Sequence, residues 1–422
     1  RIARLCLVCL LLTAGILAPL GSRAALAQTP EPTPAGNPIP YLPSDGSAQP
    51  VKPEGESSIL FLPLISDMSA ADAAAAVEAS KAKPPTSPLP LLIDTDPGVD
   101  DALALIWLLR QNTQPVQVLG IVTVAGNTAV ANATNNALLI RNKLGRQDIP
   151  VVMGAAAPLV QPLSKTTWFI HGPDGLWFLG FQNPQDPSGV RVGAPAFYCE
   201  TVAAHPGVRL LALGPLTNIA QAVQQCPDTM RTVGQLVILG GAKYGGNQTP
   251  VAEFNFWQDP EAAAIVLDSG MPITLVPLDA FTDPTITQKD LDKLLRKATP
   301  AVQFLAPALQ QYFQVQFTNT GSASIPDVVA AAVALDPNLG VRQSALVKVV
   351  LEQSLARGES IIGLSASERV VMIAGDGELS ALAERAFAYP PDPNFNFQAE
   401  LGAILMRMAD NAQVVISVPE NL

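Results

Sequence analysis

The sequence predicts an α/β fold, in which one open, mainly parallel (mixed) sheet is flanked by helices in a single domain. After Pro88, short and nearly continuous runs of Val, Ile and Leu alternate with longer stretches of helical periodicity, which is typical of strands covered by helices on both faces. Clusters of polar residues follow several of these apolar runs. Because ligands of parallel α/β sheets bind beyond the carboxyl ends of the strands, these clusters also indicate where a site would lie.

The individual elements follow from the same patterns. Each predicted strand is a short apolar run, and in chain order the strands are Leu89–Thr95, Val116–Val122, Val151–Met153, Val208–Ala212, Leu236–Leu239 and Ile273–Val276. Helical spacing of apolar residues predicts the helices Asp100–Gln111, Ala129–Leu144, Pro195–Ala204, Leu216–Gln225 and Pro260–Asp268. Beyond Arg342, the strand-like stretches Val347–Leu351 and Val370–Ile373 precede two helical stretches. We expect all of these in one domain spanning residues 88–422.

The first 87 residues differ in composition from the rest. Basic residues within Arg1–Arg4 precede the apolar stretch Leu5–Leu20, and Ala25-Leu26-Ala27 offers small residues at the spacing of a signal peptidase site. We therefore expect a signal peptide at residues 1–27 and export of the mature protein, whether secreted, periplasmic or associated with the cell envelope. An uncleaved N-terminal membrane anchor is the alternative. Residues 28–87, rich in Pro and Ala, are expected to form a disordered tether.

The net charge of −11 limits the partners of the chain. Without a run rich in Lys and Arg, the chain has no electrostatic footprint for a nucleic acid polymer, so a small molecule is the expected ligand. Cys199 and Cys226 lie beyond the signal peptide, and they can either pair in an oxidising compartment or remain free thiols. Self-association into a homo-oligomer is left open.

Four aspartates stand where the first predicted strand turns into the first predicted helix. Asp94, Asp96, Asp100 and Asp101 all fall within LLIDTDPGVDDALALIWLL. Carboxylates gathered in one turn repel one another unless a cation or several donors hold them, so the pattern indicates a divalent metal with oxygen ligands, calcium or magnesium. Helix capping by Asp100 and Asp101 is the simpler alternative. It leaves Asp94 and Asp96 unexplained.

Further polar side chains follow later strands. Asn127, Asn247, Glu253 and Asn255 offer amide and carboxylate groups that can bind vicinal hydroxyls both as donors and as acceptors, as a sugar requires. Each of them alone could be an ordinary turn or cap residue. Together, downstream of the aspartates, they favour a site for a sugar.

With these motifs the sequence resembles the calcium-dependent nucleoside hydrolases, the inosine-uridine preferring family, which cleaves the N-glycosidic bond of ribonucleosides. The matching motifs occur in the order of the family and span most of residues 89–340. They are DTDPGVDDALAL, AGN at 125–127, HGPDGL at 171–176, LGPLTNIA at 213–220, LGGA at 239–242, TPVAEFN preceded by GN at 246–255, DPEAA at 259–263 and PDVVAAAVALDP at 326–337.

The resemblance implies a Rossmann-like sheet, a Ca²⁺ cofactor and a role for each matching residue. Asp96 would bind calcium and take the proton from the attacking water. Asp101, Asp327 and the backbone carbonyl of Leu213 would complete the protein ligands. Asp94 would orient the turn. The residues implied in ribose binding are Asp100, Asn127, Asn247, Glu253 and Asn255.

The chemistry of the reaction explains these residue types independently. Departure of the base from C1′ leaves a sugar that resembles an oxocarbenium ion, so the site must stabilise positive charge and supply a nucleophilic water. A hard cation activates such a water, and Asp96 can accept its proton. Direct attack by water predicts inversion at the anomeric carbon without a covalent intermediate.

One position departs from the family. Members active on inosine and uridine commonly carry a histidine that protonates the leaving base where this chain has Pro326. His171, in the loop Trp168–Phe178, is the expected substitute because its motif matches the loop near the base pocket; a purely structural role is the alternative. The aromatic residues of the same loop suggest a further possibility that the resemblance implies, activation of a purine by stacking, although aromatic residues in such loops more often anchor the loop.

Two other functions compete with this interpretation. A strand that ends in Asp-x-Asp also describes the nucleophile turn of haloacid-dehalogenase-type phosphotransferases, although VAEFN has no role in that mechanism. A family member that lost turnover together with the histidine could instead bind ribosides without cleaving them.

Overall fold

The computed structural model describes residues 88–110, 116–164, 167–281, 285–296, 299–320, 323–336, 338–365, 368 and 410–418. The expected signal peptide at 1–27 and the tether at 28–87 lie outside these residues. So do the stretch Val370–Ile373 and most of the chain that follows it.

The described strands form one sheet of ten in the order β4-β3-β2-β1-β5-β6-β7-β10-β8-β9. Their bounds are β1 Leu89–Thr95, β2 Val116–Thr123, β3 Val151–Met153, β4 Arg191–Val192, β5 Arg209–Ala212, β6 Gln235–Leu239, β7 Ile273–Val276, β8 Val341–Val349, β9 Ser360–Gly363 and β10 Ala412–Ser417. Pairing is parallel from β4 to β10, and β8 pairs antiparallel with β10 and β9. The predicted mainly parallel, mixed sheet is therefore confirmed.

Helices connect the strands and cover both faces of the sheet. They are α1 Val99–Leu109, α2 Val130–Lys143, α3 Trp168–His171, α4 Leu179–Gln182, α5 Ala194–Ala204, α6 Thr217–Gln225, α7 Pro227–Met230, α8 Phe254–Gln258, α9 Pro260–Leu267, α10 Gln288–Arg296, α11 Pro300–Thr320 and α12 Pro326–Leu335. The five helices expected from the sequence each begin within one residue of the predicted start.

The C-terminal part of the sheet differs from the prediction. The expected strand Val347–Leu351 ends at Val349 and begins six residues earlier, at Val341. The first half of β8 is only partly buried and carries polar side chains. The strand runs antiparallel to β10 and is the last but one in the strand order. Such a strand lacks the continuous apolar run by which the buried parallel strands were recognised.

The alternating side chains of β1 enter two separate hydrophobic cores. Leu91 and Ile93 pack with α1, α2, α11 and α12, whereas Leu92 packs on the other face with α5, α6 and α9. All three side chains are fully buried. Because β1 is fixed from both faces, the turn that follows it starts from a rigid position.

Two further features of the fold are a disulfide and the character of the described helices. Cys199 in α5 and Cys226 after α6 form a disulfide, with their Cα atoms 6.1 Å apart, which resolves the two alternatives left by the sequence. Within the part of the chain that the structure describes, no helix combines the length and apolar character needed to cross a membrane.

Candidate metal and substrate site

The polar loops at the carboxyl ends of the parallel strands meet around one cavity of about 680 Å³. The loops after β1, β2, β5 and β6 all contribute, as does the start of α12. Eight of the residues expected in the site line this cavity: Asp100, Asn127, His171, Leu213, Asn247, Glu253, Asn255 and Asp327. Asp96, Asp101 and Asp94 are buried and are not among the lining residues.

A cluster of carboxylates lies at one wall of the cavity. Oxygens of Asp100, Asp101 and Asp327 lie within 4.8 Å of one another, and all three side chains are buried. Asp101 also has a capping function: its Oδ2 accepts a hydrogen bond from the backbone amide of Gly98 (3.0 Å), just before α1. Its Oδ1 accepts one from the hydroxyl of Thr95 (2.6 Å). Capping therefore accounts for part of Asp101, but not for the convergence of three carboxylates.

The electrostatics of the cluster fit a divalent cation. One oxygen each of Asp96, Asp100 and Asp327 is buried without a hydrogen-bond partner. No described lysine or arginine forms an ion pair with them. Burial, and then the charges of Asp100 and Asp101, raise the pKa of Asp327 well above its ordinary value. Buried carboxyl groups with free oxygens and mutual repulsion are the donor set that a hard cation such as Ca²⁺ stabilises.

Asp96 lies beside this trio rather than within it. Its Oδ2 accepts a hydrogen bond from the backbone amide of Asn127 (2.6 Å), and its Oδ1 is free. A Cβ added at Gly126 would lie 2.1 Å from Oδ2, and one at Gly214 would lie 2.7 Å from Oδ1. Burial, followed by the charge of Asp101, raises the pKa of Asp96 well above its usual range.

Asp94 has the supporting surroundings expected of a residue that orients the turn. Its Oδ2 accepts hydrogen bonds from the Tyr198 hydroxyl (2.6 Å) and the Asn218 amide (2.9 Å). Burial raises its pKa to about 7, and the two hydrogen bonds partly offset that rise. Asn218 also belongs to the LGPLTNIA motif, whereas no pattern in the sequence pointed to Tyr198.

The expected ribose residues are held mainly by backbone groups. Glu253 caps α8: its Oε1 accepts from the amide of Asn255 (2.9 Å) and its Oε2 from those of Phe256 (3.1 Å) and Gly241 (2.9 Å). Burial raises the pKa of Glu253 to about 7, against the effect of these hydrogen bonds. Asn247 Oδ1 accepts from the amide of Phe254 (2.9 Å). These contacts fix the loop around the cavity.

Two further amides connect the sugar residues to the expected metal ligands. The Asn255 side-chain amide donates to the carbonyl oxygen of Leu213 (2.8 Å) and to that of Leu239 (3.0 Å). The Asn127 side-chain amide donates to Asp101 Oδ2 (3.1 Å). Two residues implied in sugar binding therefore donate hydrogen bonds to residues implied as metal ligands.

His171 lies at the cavity with a defined orientation. Its Nδ1 accepts a hydrogen bond from the backbone amide of Val99 (3.2 Å) and lies 3.8 Å from Asp100 Oδ1. A neutral imidazole that accepts at Nδ1 carries its proton on Nε2. In this tautomer the buried side chain, 7% exposed, offers an Nε2–H donor sheltered from solvent.

The loop Trp168–Phe178 places fewer aromatic side chains at the cavity than the stacking hypothesis requires. Phe169 lines the cavity, and 59% of its surface is exposed. Trp177 and Phe178 are not among the lining residues. The indole nitrogen of Trp177 donates to the carbonyl of Ile170 (2.8 Å), which is the anchoring role that the sequence left as the alternative.

The structure adds a residue that the sequence analysis missed. The Tyr312 hydroxyl donates to Asp100 Oδ2 (2.8 Å), and its ring centroid lies 5.5 Å from that of His171. Tyr312 belongs to α11, a helix that was not predicted, and no motif distinguished it. Pro326 lines the cavity at the first position of α12, next to Asp327, and has no side-chain proton to donate.

Comparisons with known proteins show which family the chain resembles. The family described as inosine-uridine preferring nucleoside hydrolase matches residues 91–385. The chain is 40% identical over 224 residues to a probable uridine nucleosidase 1 of Oryza sativa subsp. japonica, covering 53% of this chain and 68% of that protein. It is 33% identical over 315 residues to a non-specific ribonucleoside hydrolase of Salmonella newport, covering 72% of this chain and 100% of that protein.

Solved structures show the same fold. A plant nucleoside hydrolase superimposes with a TM-score of 0.64 at 28% identity, over 79% of this chain and 96% of its own. A purine-preferring ribonucleoside hydrolase from Gardnerella vaginalis superimposes with a TM-score of 0.63 at 26% identity, over 78% and 94%. The extent of these matches disfavours the phosphotransferase hypothesis. The chain belongs to the inosine-uridine preferring nucleoside hydrolases, a family of enzymes that hydrolyse the N-glycosidic bond of nucleosides.

Proposed function

We propose that this enzyme hydrolyses ribonucleosides to ribose and free base with a calcium-activated water and Asp96 as the general base. The observation that carries the proposal is a set of buried carboxylates at the cavity. Asp96, Asp100 and Asp327 each keep one oxygen free of hydrogen bonds, and Asp100 and Asp327 converge with Asp101. Such oxygens are costly to bury unless a cation or substrate completes them.

The ligands of the cation would be Asp96, Asp101, Asp327 and the carbonyl of Leu213. The proximity of Asp100 to Asp101 and Asp327 makes it an additional candidate. A bound divalent cation supplies Lewis acidity that makes water a better nucleophile at neutral pH. Oxygen ligands and the absence of thiolate or imidazole from the described trio favour calcium or magnesium over a transition metal.

Asp96 has the properties of a general base. Its Oδ1 is available, and the glycines at 126 and 214 leave the carboxylate room that a side chain would fill. A carboxylate with a free oxygen inside the site can accept a proton from a neighbouring water. Since the proton comes from water and the water attacks C1′ directly, the reaction should invert the anomeric carbon.

The remaining polar residues would bind the sugar. Asp100, Asn127, Asn247, Glu253 and Asn255 border the cavity and carry the acceptors and donors that ribose hydroxyls require. The carboxylates among them would also stabilise positive charge as it develops on the ring, more strongly in the transition state than in the neutral substrate.

Departure of the base would be assisted by His171. Among the described residues, the hydrogen-bond and charge contacts of this imidazole are made by Nδ1, which leaves Nε2 for the leaving base. The relatives include proteins named for uridine and for purines, so both base classes are candidate leaving groups for this chain.

The test is an assay of free ribose released from uridine, inosine and adenosine in the presence of Ca²⁺ and after chelation. We expect release that depends on the metal, and α-ribose as the first product in a proton NMR spectrum. Tight binding of a nucleoside without release of ribose would contradict turnover and support a binding protein instead. Asp186→Asn is a control variant, because Asp186 is exposed and is not among the residues that line the cavity.

We also propose that the mature enzyme is exported. The proposal depends on the signal sequence at residues 1–27, and the disulfide between Cys199 and Cys226 suits an oxidising compartment. Cell fractionation of the host organism, with N-terminal sequencing of the mature chain, tests it: we expect an N-terminus at Gln28 outside the cytoplasm. An intact signal sequence on a cytoplasmic protein would contradict export.

A further inference from the structure

Two segments that carry the site make close backbone contact at one point. The turn at Asp96–Val99 carries the general base, and the loop at 171–181, here named the His171 loop, carries the imidazole. Gly175 of that loop has φ +87°, and a Cβ added there would lie 2.7 Å from the carbonyl oxygen of Pro97. Only a residue without a side chain allows this approach.

The side chain of Asn136 lies in the contact between these segments. Asn136 belongs to α2 and is fully buried. Its amide nitrogen donates to the carbonyl of Pro97 (3.0 Å) in the turn and to the carbonyl of Asp174 (2.7 Å) in the loop. Two carbonyl oxygens cannot bond to each other, so a group with two donors is required to join them. A primary amide supplies both.

We propose that Asn136 is a positioning residue that sets the orientation of His171 relative to the turn. The hydrogen bond from the Val99 amide to His171 Nδ1 connects the same turn to the same loop. If Asn136 did not hold the two backbones in register, this bond would not form reliably, and Nδ1 and Nε2 would both be free to carry the proton. The inference rests on the proposed function only in that His171 assists departure of the base.

Neighbouring contacts hold the loop without reaching the turn. Asn135 donates to the carbonyl of Gly180 (3.1 Å) and accepts from the amide of Gln185 (2.7 Å). Asp174 accepts from backbone amides within the loop itself. Among the described residues, Asn136 is the side chain that donates to both segments, which makes Asn135→Ala a matched control on the same helix.

The first test observes the imidazole directly. The chain has two histidines, so a long-range ¹H–¹⁵N spectrum at alkaline pH contains two imidazole patterns, and His205→Gln assigns them. We expect the pattern of the Nε2–H tautomer for His171 in the wild type and in Asn135→Ala, and an averaged tautomer pattern in Asn136→Ala. A His171 pattern in Asn136→Ala that is identical to the wild type would overturn the proposal.

The second test is a double-mutant cycle with His171. We expect Asn136→Ala to lower kcat about 10-fold or more with little change in KM, since misplacement of a catalytic group by about 1 Å costs up to about 10²-fold. In a His171→Ala background the same change should cost less than about 2-fold, because contacts that act through one residue are not additive. Equal losses in both backgrounds would show that Asn136 acts independently of His171.

A second variant and the separate spectral readout distinguish failure to fold, failure of the His171 role and failure of the Asn136 role. If Asn136→Ala does not fold, Asn136→Asp preserves the volume and replaces the donor pair with acceptors, and the same spectrum and cycle apply to it. If His171→Ala retains the kcat of the wild type, the proposed role of His171 in departure of the base fails, while the imidazole spectrum still decides whether Asn136 orients the ring.

Discussion

At the scale of single residues, Asp96 occupies a space that only glycines leave open. Gly126 and Gly214 approach its two oxygens, and the Asn127 amide fixes one of them. The other oxygen is buried without a partner. This arrangement leaves the carboxylate rigid and one of its lone-pair directions unused, as a general base requires.

Replacing Asp96 tests that assignment. Asp96→Asn keeps the size of the side chain and removes its basicity, so we expect kcat for ribose release to fall by about 10³-fold, within the range that general acid–base catalysis contributes. The thermal midpoint should change little. A variant with more than a tenth of the wild-type kcat would show that another group takes the proton.

Position 326 lacks a proton donor, so we expect a substitution there to raise kcat, whereas the substitution of Asp96 lowers it. Pro326 borders the cavity beside Asp327, so Pro326→His places an imidazole where the leaving base can reach it. We expect kcat on inosine to rise about 10-fold or more, because general acids contribute about 10²- to 10⁴-fold. Pro326→Gln, which offers an amide but no comparable acid, serves as the control. If both variants behave as the wild type, protonation of the base does not limit turnover.

The pKa of Glu253 gives a pH dependence of stability. Burial raises this pKa from 4.5 to about 7 in the folded protein, so the folded state binds the proton more tightly than the unfolded chain does. The resulting contribution to stability is fully present below pH 4.5 and is lost as the pH rises through 7. Urea unfolding of the calcium-free protein between pH 4.5 and 7 should show a decrease in stability with pH that is smaller in Glu253→Gln. The exposed Glu200→Gln should keep the wild-type slope.

The motifs singled out eight residues that line the cavity, but they did not show the contacts of these residues. Asp96 and Asp101 were identified because carboxylates gathered in one turn repel one another without a cation, Asn127 because its amide follows a strand, and Asp327 because of the resemblance to the family. Tyr312 and Asn136 carry no such signal. An asparagine or tyrosine inside a helix acquires its role only from the segments that the fold brings next to it, and a single sequence does not show those.

At the scale of elements, the segments that were predicted well are those buried on both sides. Strands such as β1 and helices such as α1 have strong apolar patterns, and their positions agree closely with the prediction. Helices α10 and α11 and strand β8 were missed or misplaced. In α10 most side chains are exposed and a single leucine, Leu291, is buried. For such elements, tertiary contacts outweigh the local pattern.

The His171 loop is an element whose order depends on one carboxylate. Asp174 accepts hydrogen bonds from the backbone amides of Leu176 (3.1 Å), Phe178 (2.8 Å) and Phe181 (3.0 Å). Trp177 and Phe178 adopt φ values of 50° and 72°, which side chains disfavour. The hydrogen bonds to Asp174 therefore hold a backbone that would otherwise relax.

Removing that carboxylate should loosen the loop. We expect Asp174→Ala to lower the free energy of unfolding by about 2–4 kcal/mol, since each buried hydrogen bond that is lost contributes about 1 kcal/mol and its amides stay unsatisfied. Hydrogen exchange of the amides at 176, 178 and 181 should accelerate. Asp186→Ala, which removes an exposed carboxylate with similar local hydrogen bonds, should change stability by less than about 0.5 kcal/mol. Equal effects of the two changes would contradict this role of Asp174.

At the scale of the whole molecule, the site lies where the order of the sheet reverses. From β1 the chain builds outward through β2, β3 and β4 on one side and through β5, β6 and β7 on the other. Loops on opposite sides of such a reversal diverge and leave a crevice at the carboxyl ends of the strands. Asp100 after β1 and Leu213 after β5 therefore line one cavity, and Asp96 and Asp101 are buried in the same turn as Asp100.

A calcium titration tests the central claim most directly. The chelated enzyme is titrated with Ca²⁺ while bound calcium and the release of ribose from uridine and inosine are measured together. We predict negligible release without the metal, full release at one calcium per chain, and weakened calcium binding in Asp101→Asn and Asp327→Asn. Undiminished release from protein that holds no calcium would contradict the account.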